Sequence, residues 1–186
     1  MCIRDSPVGC YGAGTGASVG KLTGFEHAMK SGAGYAEIIL ADGLAVGAYM
    51  AVNACGEIYD QDKILAGALA DDDRTIISSH RLMLEGYERN MGGNTSIGCI
   101  ITNADLTKTE CRMVSTMAHD GLARSIRPVH TSMDGDTLFT MASGEVKTTI
   151  DTVGYLAEEA VRLAVLDAAA SAEGMGGRPA YRDIIK

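Results

Sequence analysis

The chain has 186 residues, 46% hydrophobic and 22% charged, a composition expected of one globular domain with an ordinary core. Its net charge of −8 argues against nucleic acid or an anionic membrane surface as partner, and no run is long and apolar enough to suggest a transmembrane helix. Five cysteines (Cys2, Cys10, Cys55, Cys99 and Cys111) form no C-x-x-C pair, so neither disulfides nor a zinc site is expected and a reducing cytoplasm is the default location.

Met1–Ser6 lacks the apolar stretch of a signal peptide and joins abruptly to a Gly-rich loop; it reads as a non-native leader fused to a truncated chain, with residues 7–186 as a single, partial domain. Gly12–Lys21 (GAGTGASVGK) looks at first like a phosphate loop but fails the pattern, with Thr15 in place of the first Gly and Leu22 in place of Ser or Thr. On local grounds it is a turn-rich loop carrying a surface lysine. In residues 36–53 two apolar runs flank Asp42-Gly43, predicting a hairpin with a type I′ turn whose strands are covered on both faces.

Residues 57–93 read as an exposed, mobile polar connector with a short helical stretch over 81–88. Ser96–Thr102 is a strand. Thr107-Lys108-Thr109-Glu110 fits a capping box and opens a helix that Pro128 ends. Leu138–Ala142 is another strand, and Thr149–Ala170 a second amphipathic helix. With no Trp and two Phe, the core is built from Ala, Val, Ile, Leu and ten Met. Hairpins mixed with long helices predict helix layers on a sheet with some antiparallel pairing.

Asp134-Gly135-Asp136 offers two carboxylates without a third ligand nearby, so no metal is expected, and His119 and His130 read as ordinary polar residues. Asn94-Thr95 carries more chemistry. A threonine hydroxyl needs a base beside it to act as nucleophile. Cutting the bond before Thr95 frees an α-amine whose reference pKa, about 7.7–8.0, suits that task. Gly92-Gly93 would let the scissile peptide bend toward the hydroxyl, and the strand from Ser96 would hold the new terminus. A tight turn leading into a strand is the plainer local reading.

Four segments, GCYGAGTGASVGK, YMAVNACGEIYD, GGNTSIGCIITNADLTKTEC and MAHDGLARSIRPVHTSMDGDTLFTMASG, together resemble the self-processing amidases that include the L-aminopeptidase/D-esterases, the β-peptidyl aminopeptidases and the endo-type 6-aminohexanoate-oligomer hydrolases. The Asn-Thr junction is most similar to the oligomer-hydrolase branch. The resemblance implies a four-layer αββα sandwich of the N-terminal-nucleophile hydrolase type, of mixed α/β (α+β) class, in which a precursor splits into residues 7–94 and 95–186. By the same resemblance Thr95 is the nucleophile, Lys21 tunes the amine and hydroxyl, the Asn53 amide supports the oxyanion, and Asp134 and Asp136 orient the amine and lysine. The substrate would be a small peptide or oligoamide, no cofactor or metal would be needed, and the cleaved protomers would form a homo-oligomer, a tetramer. Family members carry a substantial segment before GCYGAGTGA, including a tyrosine that aids the oxyanion. A non-catalytic remnant and an acyl transferase similar to ornithine acetyltransferases are the alternatives.

Overall fold

The computed structural model describes residues 5–87 and 93–184. Short strands lead into a central hairpin: β1 (Ser18–Val19) pairs with β2 (Met29–Lys30), and β3 (Ala33–Ile39) with β4 (Ala45–Ala51). Then follow β5 (Glu57–Asp60), β6 (Lys63–Ala66), β7 (Ala68–Leu69), β8 (Ile76–Ile77) and α1 (Ser79–Leu84). The second half runs β9 (Ile97–Ala104), α2 (Lys108–Ser125), β10 (Ile126–Arg127), β11 (Thr137–Val146), α3 (Ile150–Ser171) and α4 (Tyr181–Ile184).

The principal sheet has the order β11-β9-β4-β3. Its β3–β4 and β4–β9 pairs are antiparallel, whereas β11 lies parallel to β9. A parallel neighbour requires a crossover, and α2 supplies it. The two long helices cover one face of this sheet, as the helix-on-sheet expectation requires. Gly34, Ala36 and Ile38 of β3, Met50, Ala48 and Val46 of β4, and Gly98, Ile100 and Thr102 of β9 share that face by register. Gly34 lets α3 lie directly on the strand: a Cβ there would fall 2.0 Å from the Ala164 carbonyl oxygen. Above it, the Tyr35 amide donates to Asp167 Oδ2 at 2.9 Å and fixes α3 on β3. The core is small aliphatic side chains: Val46, Ala48, Met50 and Ile100 beneath Val114, Ala118, Leu122, Val153, Ala157, Ala160, Val161 and Ala164.

The helix starts agree with the sequence. The Thr107 side chain accepts from the Glu110 amide while Glu110 reaches back to Thr107 N, a complete capping box, and Thr149 caps α3 through the Thr152 amide.

Three expectations are corrected. The hairpin turn is not type I′, which would need positive φ at two central residues. Only Gly43 has it (φ 88°). The loop is three residues, closed by Leu40 N donating to Leu44 O at 2.9 Å and Gly43 N to Leu40 O at 3.0 Å. The hairpin is not covered on both faces: Ile39 is 55% exposed, and Tyr35 and Tyr49 are half-buried.

Residues 57–87 are not a loose connector. They hold four short strands and α1, and place Ile58, Leu65, Ala66 and Leu69 in the core. Strands of two to four residues are too short to display a period, and their tight turn at Gln61 (φ 55°) uses a residue outside the usual Gly, Asn and Asp signals. The expected helix over 81–88 begins two residues earlier and ends at Leu84; its last position, Glu88, lies outside the described residues, as do Gly92 and the leader residues before Asp5.

Candidate active site

The parallel pairing of β11 with β9 continues upstream of both strands, through a bridge between Asn94 and Asp134. This continuation brings Thr95 opposite Gly135 and Ser96 opposite Asp136. The backbone there is held from both sides. Thr95 N donates to Asn53 O at 2.8 Å, Gly135 N to Asn94 O at 2.9 Å, and Thr137 N to Ser96 O at 3.0 Å. Ser96 N donates to Asp136 Oδ1 at 2.7 Å. Asn94 and Ser96 are buried while Thr95 between them is exposed, as strand alternation requires. Gly93 sits at φ 93°, a left-handed conformation suited to glycine.

The Thr95 hydroxyl lies on the carbonyl of the preceding peptide, with Oγ1 2.6 Å from Asn94 O. The same oxygen receives the Gly135 N–H. A Cβ at position 135 would stand 2.7 Å from Thr95 Oγ1, so only glycine leaves room for the hydroxyl as placed. Sequence reasoning did not single out Gly135. Its signal was the glycine between the two aspartates, whose meaning depends on the β9–β11 register.

Lys21 is buried, 3% exposed, which corrects the local reading of a surface lysine. Backbone bonds from Gly20 N to Gly56 O and Lys21 N to Cys55 O bring the Gly-rich loop against the segment after β4. The Lys21 amine donates to Asn53 Oδ1 at 2.8 Å, and Ser18 N donates to the same oxygen at 3.2 Å. Burial lowers the Lys21 pKa to about 8, the Cys55 and Asp134 charges oppose the shift, and Arg178 adds to it. Asn53 Nδ2 donates to Gly93 O at 3.2 Å, one peptide upstream of the Asn94–Thr95 bond. The Asn94 carbonyl itself faces the Gly135 amide and the Thr95 hydroxyl rather than the Asn53 side chain.

Asp134 uses Oδ2 to accept from Thr131 N and Thr131 Oγ1, both at 2.8 Å. Its Oδ1 is buried with no hydrogen-bond partner among the described residues. Burial raises the Asp136 pKa; the Ser96 amide opposes this, Asp134 adds to it, and His130 and His119 oppose it. Both histidines, which the sequence left as bland, are drawn to Asp136: His130 Nε2 is 3.8 Å from Asp136 Oδ2 and 3.0 Å from His119 Nδ1. The site thus unites all six residues expected from sequence, Lys21, Asn53, Asn94, Thr95, Asp134 and Asp136, and adds Gly135, His119 and His130. Among the described residues no three His, Cys, Asp or Glu side chains converge as a metal site.

Residues 3–182 match the model of peptidase family S58. The chain belongs to this family. It is 35% identical to an uncharacterized aminopeptidase of Mycobacterium leprae over 94% of this chain and 52% of that protein. It is 34% identical to an uncharacterized aminopeptidase of Mycobacterium tuberculosis over 97% of this chain and 57% of that protein. A 6-aminohexanoate-oligomer endohydrolase of Kocuria is 31% identical over 76% of this chain and 41% of the relative. The chain spans about half the length of the aminopeptidase relatives it matches.

Two solved structures share the fold. A Burkholderia β-aminopeptidase superposes with TM-score 0.61 at 22% identity, over 93% of this chain and 49% of that one. An L-aminopeptidase D-Ala-esterase/amidase of Ochrobactrum anthropi, described as a variant of the Ntn hydrolase fold, gives 0.62 at 19%, over 92% and 47%. The S58 chain therefore shares the mixed α/β fold of these structures, the fold class that its motifs implied.

Proposed function

We propose that this S58 chain is an amide hydrolase that cuts itself between Asn94 and Thr95 and then uses Thr95 as an N-terminal nucleophile. One observation carries the reading: the Thr95 hydroxyl and the Gly135 N–H meet on the Asn94 carbonyl, at 2.6 and 2.9 Å. Addition of Thr95 Oγ1 to that carbonyl carbon puts negative charge on an oxygen already facing a backbone donor, a form of electrostatic stabilisation in which a single donor is worth on the order of 10²–10³ in rate. The C–N bond then breaks, the hydroxyl proton passes to the leaving nitrogen, and an ester joins Asn94 to Thr95. Water opens the ester to give a new carboxylate on Asn94 and return the Thr95 hydroxyl, now beside the freed α-amine.

Lys21 is suited to carry the proton. With a pKa near 8, a useful fraction is neutral at working pH, and Asn53 links its amine to the Thr95 backbone. Asp134 Oδ1, buried beside Lys21 without a hydrogen-bond partner among the described residues, offers an acceptor to the ammonium that cleavage creates. In the mature form Thr95 attacks a peptide or oligoamide bond, and the acyl-enzyme is released by hydrolysis. The substrate class rests on the aminopeptidase and oligomer-hydrolase relatives. A homo-tetramer of cleaved protomers in the cytoplasm completes the proposal by resemblance to the family.

Denaturing mass spectrometry tests the reading. Fragments beginning at Met1 and Thr95 are expected from wild type, and an intact chain from Thr95→Ala. A Thr95→Ala chain cut at the same bond would remove Thr95 from the role.

A further inference from the structure

Asp136 holds one atom of the site in place: its Oδ1 accepts the Ser96 amide, immediately after the nucleophile. That bond is strongest when the carboxyl is ionised, because a charge-assisted hydrogen bond is roughly twice as strong as a neutral one. Yet the surroundings of Asp136 disfavour its charge. Its side chain is 4% exposed, and Asp134 lies two residues away on the same loop. The cationic groups that act on it are His130, from its own loop, and His119, from α2. Asp120 on α2 bears on His119, and Arg112 of α2 lines the groove in front of the pair.

The two imidazoles share one contact. His130 Nε2 is the atom near both His119 Nδ1 (3.0 Å) and Asp136 Oδ2 (3.8 Å). Two lone pairs cannot face each other at that separation, so one proton lies between the rings. Carried on His130 Nε2, it is donated to His119 Nδ1, and the ring opposes the Asp136 charge when its other nitrogen is protonated as well. Burial, with the neighbouring His130, lowers the His119 pKa, which suits His119 to the role of neutral acceptor. The pair borders an open groove of about 550 Å³ lined by Arg112, Thr116, His119, His130 and Asp136, through which it exchanges protons with solvent.

The geometry points to His130 as a positioning residue for self-cleavage, its imidazolium keeping Asp136 ionised so that the carboxylate holds the Thr95–Ser96 backbone against Asn53 and Gly135. His119 is the second ring, which accepts from His130 and orients it. This role rests on the self-cleavage proposed above. It assigns His130 no contact with the reacting atoms.

The test compares cleavage rate against pH for wild type, His130→Asn and His130→Lys. Asparagine tolerates the left-handed conformation of position 130 (φ 53°) without the charge, and lysine restores the charge. An opposite charge at this range lowers a carboxyl pKa by about 1–3 units. The acidic limb of the profile is therefore expected to move up by about one pH unit in His130→Asn, to return in His130→Lys, and the alkaline limb to stay. Superimposed profiles, or equal displacement in both variants, would overturn the role.

Titration of His119 by NMR in a Thr95→Ala background reads the same cluster without cleavage. There, Asp136→Asn is expected to move the His119 titration down and His130→Asn to move it up, and unchanged titrations would overturn the proposal. A wild-type chain intact at every pH overturns the self-cleavage reading and the role given to His130 with it, whereas normal cleavage with superimposed profiles overturns His130 alone.

Discussion

At Gly135 the absence of a side chain and the presence of an N–H do separate jobs. The N–H holds Asn94 O, while the missing Cβ leaves the space that Thr95 Oγ1 occupies. Position 135 is not in a left-handed conformation, so alanine fits the backbone and its cost falls on the hydroxyl. Gly135→Ala should slow cleavage on the order of 10²-fold, the scale expected for displacing a reacting group by about 1 Å, with little change in melting temperature. Cleavage at the wild-type rate would show that the hydroxyl approaches from another side. Lys21 gives a second prediction, in stability. Its folded pKa of about 8 lies below the unfolded value of 10.5, so below pH 8 the fold carries a buried charge that the unfolded chain hydrates. A shift of this size corresponds to about 3 kcal/mol. Lys21→Met should therefore abolish cleavage yet be more stable than wild type at pH 7, by up to that amount. Between pH 8 and 10.5 the unfolded wild-type chain binds more protons than the folded one, so wild-type stability rises and the gap closes. Urea unfolding at pH 7 and pH 10 checks the sign.

Among the elements, those with long apolar periods were legible, and those with short ones were not. The 18-residue α2 and 22-residue α3 each show several turns of helical spacing behind a threonine cap, and β9 shows clear alternation. By contrast β7 and β8 are two residues each and are defined by pairing with each other, with one further bridge from Ala68 to Ala28. The same distinction runs through the site. The chemistry of a hydroxyl and a freed amine makes Thr95 a candidate, but locally a tight turn is the plainer reading, and the family motifs are what single out Thr95 together with Lys21, Asn53, Asp134 and Asp136. Gly135 and the histidine pair could not be read from spacing, because their roles follow from a parallel register that brings Ser96 to Asp136 across 40 residues. Buried Glu57 is another such case: its Oε1 accepts the Ser79 amide at 2.6 Å, so a residue of β5 anchors the start of α1. The α2 cap allows a clean element-scale prediction. Thr107→Ala should cost about 1 kcal/mol of stability in chemical denaturation and leave the cleavage rate unchanged, since the cap lies at the end of α2 remote in sequence from His119. A cleavage defect larger than the stability loss would tie the α2 start to the site.

On the scale of the whole molecule, the principal sheet has two unlike faces. Under the helices Gly34, Val46, Ala48, Met50, Gly98, Ile100 and Thr102 are buried. On the other face the register places Tyr35, Tyr49, Cys99 and Phe139 in one row and Glu37, Gly47, Ile101 and Met141 in another, so that Glu37 ends the second row, with Ile97 on the same side as Thr95. Phe139 and Met141 are 56% and 45% exposed, and Ile97 is 44% exposed. A contiguous apolar surface of this kind is unusual on an isolated domain. The purified chain should therefore bind hydrophobic dye and self-associate with concentration in sedimentation, and Phe139→Ser with Met141→Ser should reduce both. Cleavage should respond differently. Thr95, Asn94, Gly135, Asn53 and Lys21 belong to one chain, and the Ser96–Asp136 clamp lies on the helix-covered side, away from the apolar rows. The fragments should thus appear with a first-order rate constant independent of chain concentration, in wild type and in the double variant alike. A rate constant that rises with concentration would mean that a second copy completes the site, and the apolar face beside Thr95 would be the surface on which it does so.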